Sequence, residues 1–369
     1  MKFYTENAAC CGCGACADAC PKDAVHMVQD REGFRYPEVD EAKCVSCGRC
    51  RQVCPLPRPV PEAVEHTYFG AQAKDDAIRF ASSSGGLFPI LAQYVLDRQG
   101  VVFGAAYDEH MAVVHRAARN IEELEDLKRT KYVQSRLDGV YCQIEALLKA
   151  GQWVLFCAMP CQAQALRRFL GHPYATLLVV DLVCYGVPSP GVWERYVEHL
   201  QRVHGGRLTS FSFRDKRNRD NGHTCTYTID GREYAGPLNS DPYCQFFFRN
   251  YILRPSCHAC QYCTPERDSD VTIGDFWGIE KIRPDIDDGM GTSLVILHTP
   301  KAQMVWDAVQ GQLRWFQCQR EDVLQPRLTG PTPAPELRDA FMKCCRLLSF
   351  PQLLRLASKK NPFAKFRRN

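Results

Sequence analysis

The sequence predicts an α+β, or mixed α/β, protein in which a small cysteine-rich domain precedes a larger body. The 369 residues are enough for two domains of about 150 residues and a smaller third piece. Nine of the 21 cysteines lie between the N-terminus and Cys54, and beyond them short strand-like and helix-like segments alternate. A composition of 45% apolar and 24% charged residues is typical of a folded globular protein.

The patterns of hydropathy and charge argue against several classes of protein. The longest apolar runs, residues 154–161 and 175–184, are too short to cross a membrane. The first ten residues lack the charged-then-apolar pattern of a secretory signal. A net charge of +4 is too small to indicate nucleic acid as a partner. We therefore expect a cytoplasmic protein with no nucleic-acid partner.

The cysteines indicate metal binding rather than disulfide bonds. Disulfide frameworks occur mainly in small secreted domains, whereas this chain is long and has no recognisable export signal. In a reducing compartment, cysteines serve as buried apolar side chains or as thiolate ligands of soft metals. Nine cysteines at or before Cys54 are too dense to be explained by packing, so we expect ligands.

These N-terminal cysteines form a repeat in which the pattern C-x2-C-x2-C-x3-C-P occurs twice, first from Cys10 and again from Cys44. The pattern is the bacterial ferredoxin run, in which the fourth cysteine of each copy ligates the cluster of the other copy. The spacing therefore predicts two [4Fe–4S] clusters. The ligands of the first are Cys10, Cys13, Cys16 and Cys54, and those of the second are Cys44, Cys47, Cys50 and Cys20.

A pair of zinc sites is the competing interpretation, because zinc ribbons also use C-x2-C units. Zinc ribbons need neither a third cysteine nor the proline that ends each copy, here Pro21 and Pro55. We therefore favour the iron–sulfur interpretation. Cys11 lies outside the repeat and is interpreted as a spare thiol.

A proline-rich hinge at residues 54–61 separates this domain from the body, and its stiffness is expected to hold the two at a fixed distance. Residues 208–236 are rich in strand-forming residues, with a turn at Asp230-Gly231. The hydrophobic periodicity predicts strands at 67–73, 101–106, 153–157, 175–182, 271–274 and 293–298. It predicts helices at 86–99, 140–150, 162–170 and 190–203.

Two polar patches in the body are candidates for binding an anion or a cofactor. The first immediately precedes a predicted helix, where hydroxyls and main-chain N–H groups can hold a phosphate, although an ordinary serine N-cap is the alternative. Its residues are Ser82, Ser83, Ser84, Gly85 and Gly86. The second patch can hold a phosphate or the carbonyl edge of a flavin, and a solvated loop is the alternative. Its polar residues are Lys131, Tyr132, Gln134 and Ser135.

Four cysteines of the body form a further candidate ligand set. Cys161 and Cys184 each follow a predicted strand, and Cys257 and Cys260 form a C-x2-C unit, so the four thiolates can converge if the strands are neighbours. Buried structural thiols are the competing interpretation. We prefer that interpretation for the isolated cysteines Cys142, Cys225, Cys244 and Cys318. The alternative members of the ligand set are Cys157 and Cys263.

Seven motifs in the body occur in the order typical of one known family. They are Ser83-Ser84-Gly85-Gly86, Lys131-Tyr132-Val133-Gln134-Ser135, Pro160-Cys161-Gln162, D-x2-C-x-G-V-P-S-P at 181–190, Phe213-Arg214-Asp215-Lys216, Ser256-Cys257-x2-Cys260 and DVTIGDFWG at 270–278. Residues 67–325 thus resemble the coenzyme F420 hydrogenase/dehydrogenase beta-subunit family, with the ferredoxin domain fused in front of them.

The resemblance implies an oxidoreductase that binds FAD and a [4Fe–4S] cluster and passes electrons between iron–sulfur centres and a hydride carrier or reducible substrate. It implies FAD contacts at Ser83, Ser84, Gly85, Gly86, Lys131, Tyr132, Gln134 and Ser135. It implies a third [4Fe–4S] cluster at Cys161, Cys184, Cys257 and Cys260. Relatives reduce the deazaflavin F420 or a chlorophyll intermediate, and bacterial relatives with this fused layout often accompany surface-polysaccharide genes.

Two positions depart from the family pattern. Residues 157–159 read Cys-Ala-Met where relatives usually have Gly-Thr, which leaves the local loop geometry open. Tyr185 stands where a histidine is common, so an acid–base role at that position is not carried over, and no catalytic residue is assigned.

The resemblance completes the expected domain organisation, a small ferredoxin-like two-cluster domain fused to a larger mixed α/β flavin-binding body. The ferredoxin domain is expected at 1–60. The two parts of the family-like region are expected at 67–150 and 151–325, the second with FAD and the third cluster. A basic helical tail is expected at 326–369, because its eight lysines and arginines after Asp339 have no acidic residue among them. A solvated helix is the simplest interpretation of this tail, and docking to an acidic ferredoxin or to an anionic membrane surface is the functional alternative.

The expected path of electrons runs from ferredoxin or another redox protein, through the clusters to FAD, and on to a small-molecule two-electron acceptor. A flavin is the usual converter between one-electron and two-electron carriers. The main alternative is an electron-transfer subunit of a larger hydrogenase or dehydrogenase complex, with no substrate site of its own. A structural iron–sulfur scaffold is a third interpretation, which requires the serine–glycine patch to be only a helix cap.

Overall fold

The computed structural model describes Tyr4 and residues 6–57, 65–217 and 223–357. The strands in these ranges are short runs enriched in β-branched and aromatic residues, which suit a pleated, buried surface. In chain order they are β1 (Val25–Gln29), β2 (Arg35–Val39), β3 (Thr67–Ala73), β4 (Val101–Tyr107), β5 (Val113–Ala118), β6 (Val154–Ala158), β7 (Leu177–Leu182), β8 (Leu208–Asp215), β9 (Thr224–Ile229), β10 (Arg232–Pro237), β11 (Val271–Asp275), β12 (Ser293–Leu297) and β13 (Leu313–Cys318).

Many helices of the body begin with a proline in the first turn, where the missing N–H has no partner in any case. In chain order the helices are α1 (Ala15–Asp18), α2 (Arg49–Gln52), α3 (Asp76–Phe80), α4 (Leu87–Leu96), α5 (Ile121–Leu127), α6 (Val140–Lys149), α7 (Pro160–Leu170), α8 (Pro190–His204), α9 (Pro242–Phe248), α10 (Ile279–Ile282), α11 (Pro300–Val309), α12 (Arg320–Val323), α13 (Pro326–Thr329), α14 (Arg338–Leu347) and α15 (Phe350–Ala357). A 3-10 turn at Pro255–Ala259 carries one of the candidate ligands.

The predicted mixed α/β class is confirmed, and each predicted strand and helix is present within about three residues of its expected bounds. The largest difference is at α4, which the periodicity extended to residue 99 but which ends at Leu96. Gln99 has a left-handed backbone conformation, with φ of 56°, which does not continue a helix. The predicted turn at Asp230-Gly231 joins β9 to β10.

An eight-stranded sheet with the order β13-β3-β12-β11-β7-β6-β4-β5 forms the centre of the body. Four neighbouring strands, β4, β6, β7 and β11, run parallel, and the flanking pairs are antiparallel. The carboxyl ends of the parallel strands therefore meet at one edge of the sheet. Ligand sites in α/β proteins usually lie at this edge, where the strands end and loops begin.

Both faces of this sheet are covered, as expected for a largely parallel arrangement. Apolar residues of α4 and α11, such as Leu91 and Val305, cover one face. Residues of α6 and α7, such as Ile144 and Leu166, cover the other. A smaller antiparallel sheet with the order β10-β9-β8 packs with α8, α9 and α14 around Trp193, which makes a separate aromatic core.

The N-terminal segment, which contains the antiparallel pair β1–β2, packs directly on the body. The Asp18 carboxylate accepts hydrogen bonds from the main-chain N–H groups of Gly139, at 2.9 Å, and Tyr141, at 3.2 Å, where α6 begins. At the β1–β2 turn the main chain of Gly33 lies against that of Gly191. A Cβ atom on Gly33 would lie 2.5 Å from Gly191 Cα, so this contact requires the absence of a side chain.

Some predictions fall partly outside the described residues. The hinge is described only to Pro57, and residues 58–61 of it lie outside those ranges. Helices α14 and α15 occupy the predicted tail as far as residue 357, so the tail cations Lys359, Lys360, Lys365, Arg367 and Arg368 also lie outside. The expected domain boundaries stay predictions.

Within the described ranges no helix combines the length and the apolar character needed to span a bilayer.

Helix α14 is connected to the N-terminal segment by a mostly buried ion pair, which leads to a test of stability. Arg338 donates to Glu32 Oε2 at 2.6 Å and to the carbonyl of Leu253 at 2.8 Å. Arg338→Met should lower the free energy of unfolding by about 2 kcal/mol, because it leaves a carboxylate and a carbonyl unpaired. The thermal midpoint, followed by circular dichroism at a fixed scan rate, should fall by roughly 3–6 °C.

The matched control is Arg346→Met on the exposed side of the same helix. The control variant should unfold at the midpoint of the unaltered protein. Equal midpoints for the two variants would contradict the role given to Arg338.

Candidate iron–sulfur site

Cysteines from five separate parts of the chain line one cavity of about 480 Å³ between the N-terminal segment and the body. Thiols are soft ligands, and this number of them around one space fits iron–sulfur chemistry better than any other use of cysteine. The lining cysteines are Cys10, Cys11, Cys13, Cys16, Cys54, Cys161, Cys184, Cys257, Cys260 and Cys263.

The parallel strands explain how the cysteines of the body reach this cavity. Strands β6 and β7 are neighbours, so their carboxyl ends lie side by side. Cys161 is the second residue of α7, shortly after the end of β6, and Cys184 follows β7 by two residues. Cys257 lies in the 3-10 turn, where its N–H donates to the carbonyl of Arg254 at 2.9 Å.

The first predicted ligand set, Cys10, Cys13, Cys16 and Cys54, lies wholly in the cavity wall. Burial raises the pKa of the Cys16 thiol, and the neighbouring Cys10 and Cys54 raise it further. Burial likewise raises the pKa of Cys10 to about 11, against the opposing effect of Arg254. Cys54 belongs to the second copy of the repeat, yet it lies with the cysteines of the first copy.

The second predicted set is closer to the surface, and of its members none lines the cavity. Cys44 and Cys47 are exposed, while Cys20 and Cys50 are half-buried. Burial raises the pKa of the Cys50 thiol, and Cys47 and Cys20 act on it in the same direction. The structure thus gives the two sets different environments, one enclosed and one open to solvent.

The body cysteines of the third predicted set also come together. Burial raises the pKa of Cys184 to about 12, and the Cys260 thiol acts on it in the same direction. Burial raises the pKa of Cys257 as well, with a further contribution from Cys184. Cys161 is within electrostatic range of both Cys260 and Cys184.

The two alternative members of this set differ in position. Cys263 lines the cavity, and a hydrogen bond from its thiol lowers the pKa of Cys260 to about 7. Cys157 is not among the lining residues. Its pKa is raised to about 12 by burial and then by Asp181, which puts it in a different environment from the gathered thiols.

Cys11, which sequence reasoning treated as a spare thiol, lies between the first and the third set. Its thiol forms hydrogen bonds with those of Cys13 and Cys161, and these bonds lower its pKa well below the ordinary value. In the sequence, the only feature that could have indicated this role for Cys11 is that it directly follows Cys10, a predicted ligand. Among the cysteines expected to be structural, Cys225, Cys244 and Cys318 are buried, whereas Cys142 is exposed, which corrects its interpretation as a buried thiol.

The two polar patches meet in space although they are far apart in the chain. The N–H of Thr130 donates to Ser83 Oγ at 2.8 Å. Ser84 Oγ donates to the carbonyl of Thr292 at 3.1 Å, and the N–H of Gly85 donates to Ser293 Oγ at 3.1 Å. Lys216 Nζ donates to the carbonyl of Ser84 at 2.6 Å, which brings a third family motif to the same place.

The serine N-cap interpretation of the first patch is wrong. The residue that caps α4 is Gly86, whose φ of 91° favours glycine and which has no side chain to donate or accept. Gly85 is required by packing, because a Cβ atom there would lie 2.3 Å from the carbonyl oxygen of Ala71. The serine hydroxyls therefore fix the loop in front of α4 rather than the helix itself.

The solvated-loop interpretation of the second patch is also wrong, since Gln134 and Ser135 are buried. Gln134 Nε2 donates to the carbonyl of Cys11 at 2.9 Å, and Ser135 Oγ accepts from Gln162 Nε2 at 3.3 Å. The Tyr132 ring packs against aromatic rings of the smaller core, with its centroid 4.8 Å from that of Phe247. The Thr130–Ser83 bond thus links the two patches, and Gln134 contacts the cavity wall at Cys11; we call the eight predicted flavin contacts the strip.

Lys131 is the charged residue of this strip. Its Nζ donates to the carbonyls of Asp126 and Lys128, each at 2.7 Å. Burial lowers the pKa of Lys131 to about 7. Nearby, burial also lowers the pKa of His115 to about 4, and the Nδ1 of His115 has no partner among the described residues.

A double cysteine run packed on a mixed α/β body, with further cysteines at a shared cavity, defines an iron–sulfur protein of the oxidoreductase type. Residues 9–56 match the model of the 4Fe-4S dicluster domain. Residues 151–317 match the family model that describes the C-terminal part of the beta subunit of coenzyme F420 hydrogenase/dehydrogenase. Residues 9–56 and 151–317 are therefore similar to a dicluster domain and to the C-terminal part of that beta subunit, which confirms the resemblance found in the sequence over those residues.

Among solved structures, a chain of the F420-reducing [NiFe] hydrogenase complex from Methanosarcina barkeri is similar to this protein. The two share 18% sequence identity with a TM-score of 0.45, and the match covers 80% of this chain and 92% of that chain. A comparison with curated proteins returned no match.

The low pKa of Lys131 leads to a prediction about the pH dependence of stability. Between about pH 7 and the ordinary lysine pKa of 10.5, the unfolded chain keeps a proton that the folded protein has released. The free energy of unfolding therefore gains a contribution from Lys131 as the pH rises through this window. Lys131→Met removes this contribution, so the midpoint of the unaltered protein minus that of the variant should be larger at pH 9 than at pH 7.

Thermal unfolding followed by circular dichroism measures this difference. Lys149→Met, at an exposed position on α6, controls for the loss of one lysine. A difference for Lys131→Met that is the same at both pH values would contradict the assigned pKa.

Proposed function

We propose that this protein is an iron–sulfur flavoprotein oxidoreductase. It accepts electrons from ferredoxin or another redox protein and delivers them, through [4Fe–4S] clusters and FAD, to a two-electron acceptor. Coenzyme F420 or a similar small molecule is the proposed acceptor class, by analogy with the family. The observation that carries this proposal is the single cavity in which cysteines of the N-terminal segment and of the body lie together.

The exposure of the second cysteine set supports entry of electrons from outside. Cys44 and Cys47 are exposed, whereas Cys13 and Cys16 are buried. A partner protein can approach the open set closely, while the first set is more enclosed. The proposed order of centres is therefore the Cys20, Cys44, Cys47 and Cys50 site, then the Cys10, Cys13, Cys16 and Cys54 site.

The third cluster is proposed at Cys161, Cys184, Cys257 and Cys260. These thiols come from strand ends and a turn of the body, and they are deeper than the second set. Cys11 lies between this site and the first site, so the two would be separated by little more than one side chain. Cys263, whose thiol forms a hydrogen bond with that of Cys260, is the alternative ligand if one of the four does not bind.

FAD is proposed along the strip that joins the loop before α4 to the cavity wall. When bound, the clusters would carry single electrons and FAD would convert them into pairs. Main-chain N–H groups and hydroxyls at the N-terminal end of α4 suit the pyrophosphate, whose negative charge would favour the protonated form of Lys131. Gln134 and Ser135 lie at the cysteine end of the strip, which favours electron exchange between the two sites.

An electron-transfer subunit without a substrate site of its own is the second candidate. The description of the matched family names a beta subunit, which is a component of a larger enzyme. Under this candidate the isolated protein would reduce flavin-linked dyes but turn over no acceptor until its partner subunit is added. Turnover of F420 or another acceptor by the isolated protein would exclude it.

The proposed cluster sites predict the iron content. Protein reconstituted without oxygen should hold about twelve irons per chain, and Cys161→Ala should lower this to about eight because one cluster loses a ligand. Iron analysis with electron paramagnetic resonance of the reduced protein measures both the content and the number of clusters. Cys157→Ala is the matched control and should retain about twelve irons, since Cys157 lies outside the cavity wall.

Several outcomes of this experiment would count against the proposal. About eight irons in the unaltered protein would remove the third cluster. Bound zinc in place of iron would overturn the function altogether. Equal iron content in the Cys161 and Cys157 variants would refute the assigned ligand set.

The proposed flavin site predicts an effect of charge at Ser84. Ser84→Asp adds a carboxylate near the proposed pyrophosphate site and should weaken FAD binding at least about tenfold, or about 1.4 kcal/mol. Ser84→Asn is the matched control, because asparagine is nearly the same size as aspartate but is uncharged, and its amide can donate to the carbonyl of Thr292. Titration of flavin-depleted protein with FAD, followed by fluorescence, gives both dissociation constants. Equal dissociation constants for the two variants would contradict the proposed FAD site at Ser84.

A further inference from the structure

Arg254 is a fully buried arginine that lies between the two cysteine groups of the cavity. Its side chain has no solvent exposure. Its N–H donates to the carbonyl of Val187 at 3.0 Å, and its carbonyl accepts from the N–H of Cys257 at 2.9 Å. The main chain of Arg254 is thus fixed three residues before a proposed ligand of the third cluster.

The guanidinium group points to the other cysteine group. Its Nε donates to the carbonyl of Cys10 at 2.8 Å, and its Nη2 lies 3.8 Å from Cys10 Sγ. Nη1 donates to Gln134 Oε1 at 3.0 Å, and Nη2 donates to the carbonyl of Arg35 at 3.0 Å. The group lies over the Tyr36 ring, with Cζ 4.2 Å from the ring centroid.

The N-terminal loop is shaped around this cation. A Cβ atom on Gly12 would lie 2.6 Å from Arg254 Cζ, and the φ of Gly12 is +68°. A side chain at position 12 would therefore push the guanidinium away from Cys10. The geometry keeps the main chain of the cysteine loop and the cation in direct contact.

Arg254 differs from the other buried arginines in lacking an acidic partner. Arg267 pairs with Asp181, Arg79 pairs with Asp288, and a third buried arginine pairs with Glu32. Among the described residues no carboxylate lies within 4.0 Å of the Arg254 guanidinium, and its oxygen acceptors are neutral carbonyls. A buried charge is costly unless an opposite charge is close, and the nearest group that can become anionic is the Cys10 thiol.

We propose that Arg254 is the counter-cation of the cluster held by Cys10, Cys13, Cys16 and Cys54 and raises its reduction potential. This inference rests on the proposed function, because it requires that cluster. On reduction, one electron arrives from the redox partner by way of the exposed cluster, no proton moves, and the site gains one negative charge. A fixed positive charge in a dry environment stabilises the reduced form more than the oxidised form.

This role has a consequence for the direction of electron flow. Burial alone disfavours adding negative charge, so an enclosed cluster without a cation would be harder to reduce than the exposed one. Arg254 offsets this effect. The cation therefore makes it easier for an electron that enters at the exposed site to pass inward to the enclosed site, close to the third cysteine group.

The test is a potentiometric titration of the full-length protein, reconstituted without oxygen and followed by electron paramagnetic resonance and visible absorption. Arg254→Gln should shift the midpoint of the cluster at Cys10, Cys13, Cys16 and Cys54 to more negative potential, by more than the midpoint of any other cluster. Arg254→Lys, which keeps the charge but not the forked hydrogen bonds, should keep that midpoint closer to the unaltered value. Arg35→Gln is the matched control, since Arg35 is partly exposed and already paired with Asp138, and it should shift none.

Gln134→Glu provides a second, independent variant in which Arg254 stays in place. The new carboxylate would pair with Nη1, at the position where Gln134 Oε1 now lies 3.0 Å away, and neutralise the cation. The same cluster should shift to more negative potential. If Arg254→Gln does not retain the first cluster, Gln134→Glu tests whether the positive charge of Arg254 raises the reduction potential of that cluster.

The outcomes separate this inference from the function on which it rests. Unaltered protein without iron–sulfur signals would overturn the proposed function. If Arg254→Gln retains its clusters and their midpoints are unchanged, the role of Arg254 alone is overturned. If Arg254→Gln loses its first cluster, unchanged midpoints in Gln134→Glu would overturn that role. An equal shift of all clusters, or a shift of the first cluster equal to that in Arg35→Gln, would also overturn it, because it would indicate a general change in charge or fold.

Discussion

The N-terminal segment and the body build one cavity between them, and everything proposed for this protein depends on the hydrogen bonds that hold the two together. Many of these bonds end on main-chain carbonyls of the cysteine-bearing loops. Tyr141 OH donates to the carbonyl of Cys13 at 3.1 Å, and Tyr262 OH donates to the carbonyl of Pro55 at 2.7 Å. Such loops cannot satisfy their polar groups internally, so donors from the body complete them. The same bonds that stabilise the loops also set the distances between their cysteines and those of the body.

The parallel strands give this arrangement its second constraint. Because β6, β7 and β11 run in the same direction, their carboxyl ends all open on one edge of the sheet. Cys184 follows β7, while Asp275 at the end of β11 pairs with Arg214 at 2.5 Å, close to the flavin strip. One edge of the sheet would therefore serve both proposed sites. A mixed α/β body is well suited to bring a metal centre and an organic cofactor near each other without a separate domain for each.

The parts of the protein that the sequence predicts are those with local signals. Strand and helix periodicity located the elements of the sheet, and cysteine spacing predicted a two-cluster domain where residues 9–56 match the dicluster model. The positions of Cys11 and Arg254 had no such signal, because their environment is formed by chain segments that lie far apart in the sequence. The serine patch was open to two interpretations for the same reason. Its contacts to Thr130 and Thr292 depend on tertiary packing, which no local pattern encodes.

The contrast between exposed Cys44 and Cys47 and the enclosed thiols of the cavity has a consequence for the lifetime of the protein in air. Dioxygen reaches a surface metal–sulfide centre without crossing any protein layer, whereas a centre inside the cavity is shielded. Oxidative damage would therefore begin at the site where electrons enter. A briefly aerated sample would keep its colour and much of its metal, yet it would be disconnected from its electron donor.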